Sequence, residues 1–489
     1  MRTLAFSICF LAPALDCCAV TVGGILTSDT HWTLSNSPYI ATSSVLIDSG
    51  AKLTIDPGVE VRFAKTTGLV VVNGTLAARG TVNSPIKFTA DQAGSLNGWN
   101  GIRFGDLTTN AVFNGDLYTA GSILEAAIIE GVAEHFNGAV RVESSSPFIH
   151  DSQIRNNRSS GIRAVNASGL RIVGNRIENN DAGATSGGAV DIQNSFGVRI
   201  IGNEFYDNKS YQGGGVKVDG SNNAIVTDNS FERNFGRDYG AGFYNTNSSG
   251  TKFIRNLLSD NETEDSSRPG GAADFERSNN VLFEQNTVQG TKAVTALRFE
   301  DLTGLTMRGD RIVDNLGHGL YFHTNVSNAV VSSASSPTTI AGNGGYEIYN
   351  NQLFELSTNP LAKGNVDARN VWWKISDISA VQADVFDFLD NSFKGIVFLD
   401  PIKVFADFDG DSDVDGDDLN HPTLGWAARF GTTLDGADFL RWQRDLGFGV
   451  PSASPLAAVP EPRCTSLLFV AGIWVFSRIA TDEGDAAGA

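Results

Sequence analysis

Cysteine is nearly absent from the middle of this sequence. The four cysteines are Cys9, Cys17, Cys18 and Cys464, all close to one end of the chain. If both ends are trimmed, the remaining protein has no thiol and no disulfide, so cysteine says little about the redox compartment. The apolar runs at the two ends, 4–14 and 464–477, are both shorter than the ~17–25 residues of a membrane-spanning helix.

Positive charge is also scarce. Lysine and arginine total 36 against 55 acidic residues, which gives a formal net charge of −19. Because nucleic-acid phosphates repel such a chain, the sequence predicts no nucleic-acid partner. The same repulsion disfavours other polyanions unless a cation mediates the contact.

A seven-residue unit recurs through the middle of the chain. The clear copies are GNRIENN at 174–180, GNEFYDN at 202–208, DNSFERN at 228–234, RNLLSDN at 255–261 and GDRIVDN at 309–315, with DSQIRNN at 151–157 and QNTVQGT at 285–291 as weaker copies. Taken at the second residue of each copy, the steps from Ser152 to Asp310 are 23, 28, 26, 27, 30 and 24 residues. A period in the twenties with apolar–polar alternation is typical of stacked strand coils, so the sequence predicts a parallel β-helix.

The repeat places an asparagine at one corner of successive coils, at positions 175, 203, 229, 256 and 286. Stacked side-chain amides can hydrogen-bond to one another along such a column, which satisfies polar groups turned away from water. We therefore expect these asparagines to be structural.

The stretch 45–104 consists of short strand-like runs separated by turns such as Pro57-Gly58 and Asn73-Gly74. It resembles the opening coils of secreted bacterial β-helix proteins, the pectin-lyase-like group. NVDARNVWWKIS at 365–376 and GIVFLDP at 395–401 also resemble this group, in which a paired-tryptophan segment closes the helix, although Lys374 replaces the usual glycine. The resemblance implies an all-β fold, a right-handed parallel β-helix, and a link to carbohydrate.

Residues 405–449 differ in composition, with ten acids and three arginines. The run DFDGDSDVDGDDL at 407–419 has acids at the offsets of a calcium-binding loop. The predicted ligands are Asp407, Asp409, Asp411, Asp413 through its carbonyl, Asp415 and Asp418. With its degenerate second half at 432–447, the segment resembles a dockerin, which implies a small α-helical Ca²⁺ module and a cohesin-like partner.

The two ends carry targeting patterns. Residues 1–19 combine Arg2, an apolar run and small residues up to Ala19, the pattern of a secretory signal peptide. Lipidation at Cys17 or Cys18 is the alternative, which the preceding Asp16 disfavours. VPEP at 459–462, the apolar run and Arg478 resemble the PEP-CTERM sorting signal of Gram-negative bacteria, which a processing enzyme removes during surface export.

These patterns predict six segments and a secreted, extracellular or cell-surface location. The segments are a signal peptide at 1–19, an N-terminal cap with the first coils at 20–122, central coils at 123–348, a C-terminal cap at 349–404, the calcium module at 405–449, and a linker with the sorting tail at 450–489. Within the second segment, residues 20–44 are expected to cap the open strand edges of the first coil.

Aligning the coils on their glycines predicts two outward-facing columns on one sheet. The first comprises Arg141, Arg163, Asp191, Lys217, Tyr244, Asp274, Arg298 and Tyr321, and the second Glu143, Val165, Gln193, Asp219, Thr246, Glu276, Glu300 and His323. The longest inter-strand loops, at 181–186, 209–212, 235–239 and 262–269, all enter this face. Insertions on one side of a solenoid usually wall a binding surface.

The columns supply the candidate site. Neighbouring coils lie about 4.8 Å apart, so Asp274 is expected to pair with Arg298, and Asp191 with Lys217. Glu276 and Glu300 are then adjacent like charges, which favours a shared proton or a bridging Ca²⁺. The candidate catalytic residues are Asp274, Glu276, Arg298, Glu300 and Lys217; those for substrate binding are Asp191, Asp219, Tyr244, Tyr211, Tyr239 and His323, with Tyr206 a further ring for sugar stacking.

Two functions remain open from the sequence. In the first, the protein binds extracellular polysaccharide and cleaves it as a lyase or glycoside hydrolase, with Arg298 or Lys217 abstracting a proton as in β-helix lyases. In the second, it is a non-catalytic surface, adhesion or scaffold protein whose β-helix is a rigid spacer. A charge-alternating face that merely stays solvated is the more common case, and the sequence favours it over a site.

The calcium loop generates the first prediction. Residues 405–449 should fold only with Ca²⁺, because five carboxylates in an empty loop repel one another. Calorimetric titration of this fragment should show one site. No heat, or two equal sites, would contradict the assignment.

Overall fold

The computed structural model describes residues 19–92, 98–133, 138–264, 270–354, 357–374, 377–403, 408, 414–432, 434 and 436–446. The chain divides into two compact units, with the boundary between Val404 and Phe405. No helix of the described residues is both long and apolar enough to cross a membrane.

The first unit is a right-handed parallel β-helix, as the sequence predicts. Each coil adds one strand to each of three parallel sheets, and three long strands near the start turn a corner and serve two sheets.

Sheet one carries the predicted columns. After Val20–Leu26, Tyr39–Ile47 and Leu69–Arg79, which it shares with other sheets, its strands are Ile102–Thr108, Val140–Glu143, Ile162–Val165, Val190–Gln193, Val216–Asp219, Phe243–Thr246, Ala273–Glu276, Thr295–Glu300, His318–Phe322, Ile348–Asn350 and Val385–Phe386.

Sheets two and three complete each coil. Sheet two contains Thr30–Trp32, Ala51–Ile55, Ile123–Glu125, Phe148–His150, Arg171–Val173, Arg199–Ile201, Ile225–Thr227, Lys252–Ile254, Asn279–Glu284, Thr303–Arg308, Ser327–Val330, Val366–Asp367 and Val397–Phe398. Sheet three contains Glu60–Phe63, Ile86–Ala90, Ala127–Glu130, Gln153–Arg155, Arg176–Glu178, Glu204–Tyr206, Ser230–Glu232, Leu257–Ser259, Thr287–Gln289, Arg311–Val313 and Thr339–Ala341.

A few elements lie outside these sheets. They are the 3-10 helix Leu34–Asn36, the antiparallel hairpin Val112–Asn114 and Leu117–Ala120, the short parallel strands Lys209–Gln212, Phe235–Tyr239 and Glu262–Thr263, and the helix Ile378–Ala383.

The interior is a column of apolar side chains in one continuous core. Phenylalanines stack from coil to coil, with ring centroids 4.9 Å apart for Phe205 and Phe231 and 5.3 Å apart for Phe253 and Phe283. Because strand side chains alternate, each inward residue is flanked by outward ones, which sets the columns on the outer faces.

The corners share one construction. The first residue of the turn adopts a left-handed backbone, and the next turns a polar side chain into the stack. Gly174 adopts it with φ +67°, and Asp228 and Arg255 hold the equivalent position in later coils with φ +58° and +51°. Asn175, which follows, is buried.

The predicted asparagine column is confirmed. Each Nδ2 donates to the Oδ1 of the next coil, at 3.0 Å from Asn175 to Asn203, from Asn203 to Asn229 and from Asn229 to Asn256, and at 3.1 Å from Asn256 to Asn286. Asn286 donates at 3.0 Å to Asp310, which ends the column. Burial raises the pKa of Asp310 well above its ordinary value.

Two further columns were missed from the sequence. The last residue of each repeat forms a second amide column through Asn157, Asn180, Asn208, Asn234 and Asn261. A third corner is held by serines, whose hydroxyls accept from backbone N–H groups one coil away, as Ser221 does from Ser195 and Ser248 from Ser221. Every corner is therefore tied to its neighbour through polar side chains.

Both predicted end segments take part in the coil stack. Residues 20–44 form its first coil, because Val20–Leu26 pairs in parallel with Tyr39–Ile47. Trp32 and Tyr39 stack inside it at 4.9 Å. At the other end, Trp372 and Trp373 are buried, and coil pairing continues to Val397–Phe398.

The second unit contains the helices Gly416–Asn420, Trp426–Arg429 and Gly436–Asp445. Asp415 caps the first helix by accepting from Asp417 N at 2.7 Å, and the buried Asp418 accepts from Asp415 N at 2.8 Å. Trp442 Nε1 donates to Asp415 O at 2.7 Å. The helical character predicted for this segment is present, and these two aspartates hold the helix entry.

Several sequence predictions lie outside the described residues. They concern the signal peptide apart from Ala19, the sorting tail at 450–489, and the calcium ligands Asp407, Asp409, Asp411 and Asp413.

The amide column generates a second prediction. Asn229→Leu should lower the free energy of unfolding by about 1–3 kcal/mol, because the amides of Asn203 and Asn256 lose their partner inside the stack. Asn279→Leu, on an exposed strand position, is the matched control. Urea unfolding of both variants checks this; equal midpoints would mean that the column does not stabilise the stack.

Candidate functional site

Sheet one aligns the predicted outward residues coil by coil. Cα pairing runs through Arg141, Arg163, Asp191, Lys217, Tyr244, Asp274, Arg298 and Tyr321 in that order. The second column follows in the same register from Glu143 to Glu300. The predicted register is therefore confirmed, because the corner columns fix which residues face each other.

The centre of this face is covered. The segments 209–212, 235–239 and 262–263, predicted as loops, form a short parallel sheet with Lys209 opposite Phe235 and Phe235 opposite Glu262. Segments that leave successive coils at the same point inherit the coil register, so they pair as strands too. We call them the cover sheet.

The cover sheet buries the first column. Tyr239 of the cover stacks on Tyr244 at 5.8 Å, and the Arg298 guanidinium lies 5.1 Å from the Tyr239 ring centroid. Asp274 is 0 % exposed and Arg298 4 %. The interpretation of this face as a solvated charge ladder is therefore wrong at its centre.

Arg298 binds three carboxylates. Its Nη1 lies 2.9 Å from Asp274 Oδ2 and 4.0 Å from Glu276 Oε2, while its Nη2 contacts Glu300 Oε2. The expectation that Glu276 and Glu300 lack a neutralising partner is wrong, because the guanidinium reaches both.

Each glutamate has further donors. Tyr244 donates to Glu276 at 2.6 Å, and Arg277 pairs with Glu276 at 2.9 Å. His323 Nδ1 lies 2.8 Å from Glu300 Oε1. Burial, and then the charge of Arg298, lower the pKa of His323.

The protonation states limit the chemistry of this cluster. Full burial raises the pKa of Asp274 to about 7, outweighing the charge of Arg298, which lowers it. Burial alone would lower the pKa of Arg298, but the charge and hydrogen bonds of Asp274 raise it above its ordinary value. An arginine held this firmly protonated suits a clamp better than a base.

The other predicted site residues lie on neighbouring coils. Lys217 forms its ion pair with Asp219 at 3.4 Å, not with Asp191 as expected, and its Nζ also donates to Ser186 at 3.3 Å. Arg163 lies 3.7 Å from Asp191. Burial raises the pKa of Asp191 to about 6, against the charges of Lys217 and Arg163.

Two of the predicted tyrosines lie outside the two outward columns of sheet one. Tyr211 is half-buried in the cover strand Lys209–Gln212. Tyr206 belongs to sheet three, where it lies between Arg176 and Arg233, so it is not part of this face.

An aromatic group missed from the sequence continues the column beyond Arg298. Tyr321 pairs with Tyr349, which pairs with Phe386, at ring distances of 5.4 and 4.4 Å. His318 stacks on Tyr349 at 4.8 Å and Tyr346 lies 5.5 Å from Phe386. All five rings are half-exposed, and we call them the aromatic ladder.

Calcium on this face gains no direct support. Among the described residues, no group of three or more His, Cys, Asp or Glu side chains could hold a metal ion. A cation was expected to bridge Glu276 and Glu300, and the guanidinium of Arg298 contacts both carboxylates.

The fold and this face define a right-handed parallel β-helix protein. Residues 97–258 and 137–334 match the family model for the right handed beta helix region. A stretch of 64 residues, 13% of this chain, is 47% identical to Protein bark beetle of Drosophila melanogaster. The match spans about 2% of that protein's length.

The chain is also similar to two solved structures. The periplasmic alginate epimerase AlgG aligns with TM-score 0.36 and 12% identity over 66% of this chain and 80% of its own. PfbA, a surface adhesin of Streptococcus pneumoniae, aligns with TM-score 0.38 and 10% identity over 70% of this chain and 86% of its own.

The buried cluster generates a third prediction. Arg298→Met should cost about 3–5 kcal/mol of unfolding free energy, because it leaves Asp274 and Glu300 without their buried cation. Arg233→Met, which removes an exposed ion pair to Asp207, should cost about 1 kcal/mol or less. Adding Asp274→Asn to Arg298→Met should recover part of the loss in urea unfolding. Equal costs for the two arginines would contradict the buried network.

Proposed function

We propose that this protein is an extracellular or cell-surface polysaccharide-binding protein whose glycan lies along sheet one of the last coils. The aromatic ladder carries the proposal. Its rings sit on successive coils, half-exposed and packed on one another, so an extended glycan lying along the column would contact several of them in turn.

Polar groups border the ladder on one side. His323 and Glu300 form a hydrogen-bonded pair next to Tyr321, with the Tyr321 and His323 rings 5.6 Å apart. Lys394 Nζ donates to Asn351 O at 3.0 Å, and Asn351 donates to the Tyr321 hydroxyl at 3.1 Å. These groups supply donors and acceptors for sugar hydroxyls beside a stacking surface.

Binding is better supported than cleavage. Asp274 and Arg298 lie beneath the cover sheet and are engaged with each other, whereas catalysis needs groups that reach the substrate. Glu276 and Glu300 are less buried than Asp274, so they remain the candidates for acid–base chemistry. Lys217 is buried and donates to Ser186, so it is a weaker candidate. We retain lyase or hydrolase activity as the alternative that the experiment below separates from binding.

The ends of the chain complete the proposal. A signal peptide, a calcium-dependent dockerin-like module with a cohesin-like partner, and a tail cut by a sorting enzyme would together place the β-helix at the cell surface. In that arrangement the second unit attaches the protein and the first binds the glycan.

The test is a fourth prediction. The full chain should bind at least one member of a polysaccharide panel in affinity electrophoresis. Tyr349→Ala should weaken that binding roughly fivefold, because one aromatic contact is worth on the order of 1 kcal/mol. Tyr206→Ala, which removes a half-exposed tyrosine from sheet three, should leave it unchanged.

Product analysis of the same mixtures separates the two activities. Unsaturated products or new reducing ends that disappear in Glu276→Gln/Glu300→Gln would establish cleavage. Binding that persists in that double variant without any product is the outcome we expect. Failure of the parent chain to bind any glycan, or equal loss from Tyr206→Ala, would overturn the proposal.

A further inference from the structure

A second pocket lies on the opposite part of the coil, beneath the antiparallel hairpin Val112–Asn114 and Leu117–Ala120. The hairpin stands over sheet two and encloses a cavity of about 400 Å³. Its lining comes from five successive coils of sheet two and from the hairpin itself. This volume is within the range of small-molecule sites.

One wall of the pocket is aromatic. Phe148 stacks on His150 at 4.7 Å, and Tyr118 of the hairpin stacks on Phe148 at 5.9 Å. Phe113 meets Phe148 edge-on at 5.1 Å. Phe113, Tyr118 and Phe148 form a hydrophobic cluster with Ala77 and Ile123, separate from the main core. The hairpin is thus held by its own packing, and these rings give the pocket an apolar wall.

A cationic wall adjoins these rings, with the Arg171 guanidinium 3.8 Å from the Phe113 ring centroid and the Arg79 guanidinium 5.6 Å from that of Tyr118. Arg79 Nε donates to Glu125 at 2.6 Å, and Arg171 donates to Asp116 at 3.1 Å and to Gly115 O at 3.2 Å. Arg199 approaches only Asp116, at 3.8 Å, and its buried Nε has no hydrogen-bond partner among the described residues. Asp116 itself is 85 % exposed, so water weakens its hold on both arginines.

The balance of charge favours an anion. Three arginines stand against two carboxylates, in a chain whose net charge is −19. A buried guanidinium nitrogen without an acceptor is costly unless a ligand supplies one. His150 Nδ1, also buried, has no hydrogen-bond partner among the described residues, lies 3.5 Å from Glu125 Oε1, and can serve a hydroxyl group.

We infer that the hairpin pocket binds an acidic sugar, with its ring against Tyr118 and Phe148 and its carboxylate held by Arg199 and Arg171. A bidentate arginine contact fits a carboxylate, and the apolar lining of Tyr118 and Phe148 fits the apolar side of a pyranose. The site lies on sheet two, away from the aromatic ladder of sheet one, and does not depend on the function proposed there.

The experiment is calorimetric titration of the full chain with glucuronate, with glucose as the neutral match and inorganic sulfate as the bare anion. Glucuronate should bind at one site, about tenfold or more tighter than either control, because it alone engages both walls. Arg199→Gln should weaken glucuronate about tenfold. Asp116→Asn should strengthen it by freeing both arginines, and Arg233→Gln on sheet three should change nothing.

Three results would overturn the inference. Glucuronate could give no binding heat, sulfate could bind as tightly as glucuronate, or Arg199→Gln and Asp116→Asn could both leave the affinity for glucuronate unchanged. Because Asp116 is exposed, that variant remains informative even if Arg199→Gln fails to fold. Tyr349→Ala should leave glucuronate binding intact, which separates a failure here from a failure of the glycan surface on sheet one.

Discussion

Each corner of this β-helix turns a polar side chain into the stack, where its partners are the neighbouring coils and the backbone of its own turn. Asn229 illustrates the arrangement: its Oδ1 accepts from Asn203, its Nδ2 donates to Asn256 at 3.0 Å, and the same Nδ2 donates to Ile200 O at 2.9 Å. A slip of one residue would leave all of these groups unpaired in a dry interior, at a cost of about 1–3 kcal/mol for each. Hydrophobic burial stabilises the stack, and the corner columns set its register.

The faces of the molecule follow from that register. Because coils are locked residue by residue, outward side chains meet in straight columns, and even the segments between coils pair as the cover sheet. Burial beneath that sheet turns Asp274 and Arg298 from surface charges into an ion pair within a dry network. Beyond the cover, the same column continues as half-exposed rings. Sheet one thus has a closed charged centre and an open aromatic end.

The sequence carries most of the fold and part of the site. Repeats with a step of 23 to 30 residues reveal the coils, and counting from them gives the correct outward columns. The second amide column ends each copy of the repeat, yet its role depends on which corner residue turns inward, as Asn180 does. Which acids Arg298 contacts depends on side-chain direction and on the cover sheet, neither of which a repeat encodes. The aromatic ladder could not be predicted from the repeat. The step from Tyr321 to Tyr349 is 28 residues, but the step from Tyr349 to Phe386 is 37 residues, which is longer than any step of the repeat.

The central claim is that locked coil register builds a glycan-binding surface at the open end of sheet one. It is tested most directly by a crystal structure of the full chain with a bound oligosaccharide drawn from the polysaccharide that it retains. We expect sugar rings in contact with Tyr321, Tyr349 and Phe386, with hydroxyl groups directed at His323 and Glu300. An oligosaccharide bound on sheet three, or anywhere else that leaves the aromatic ladder without contact to sugar, would contradict the claim.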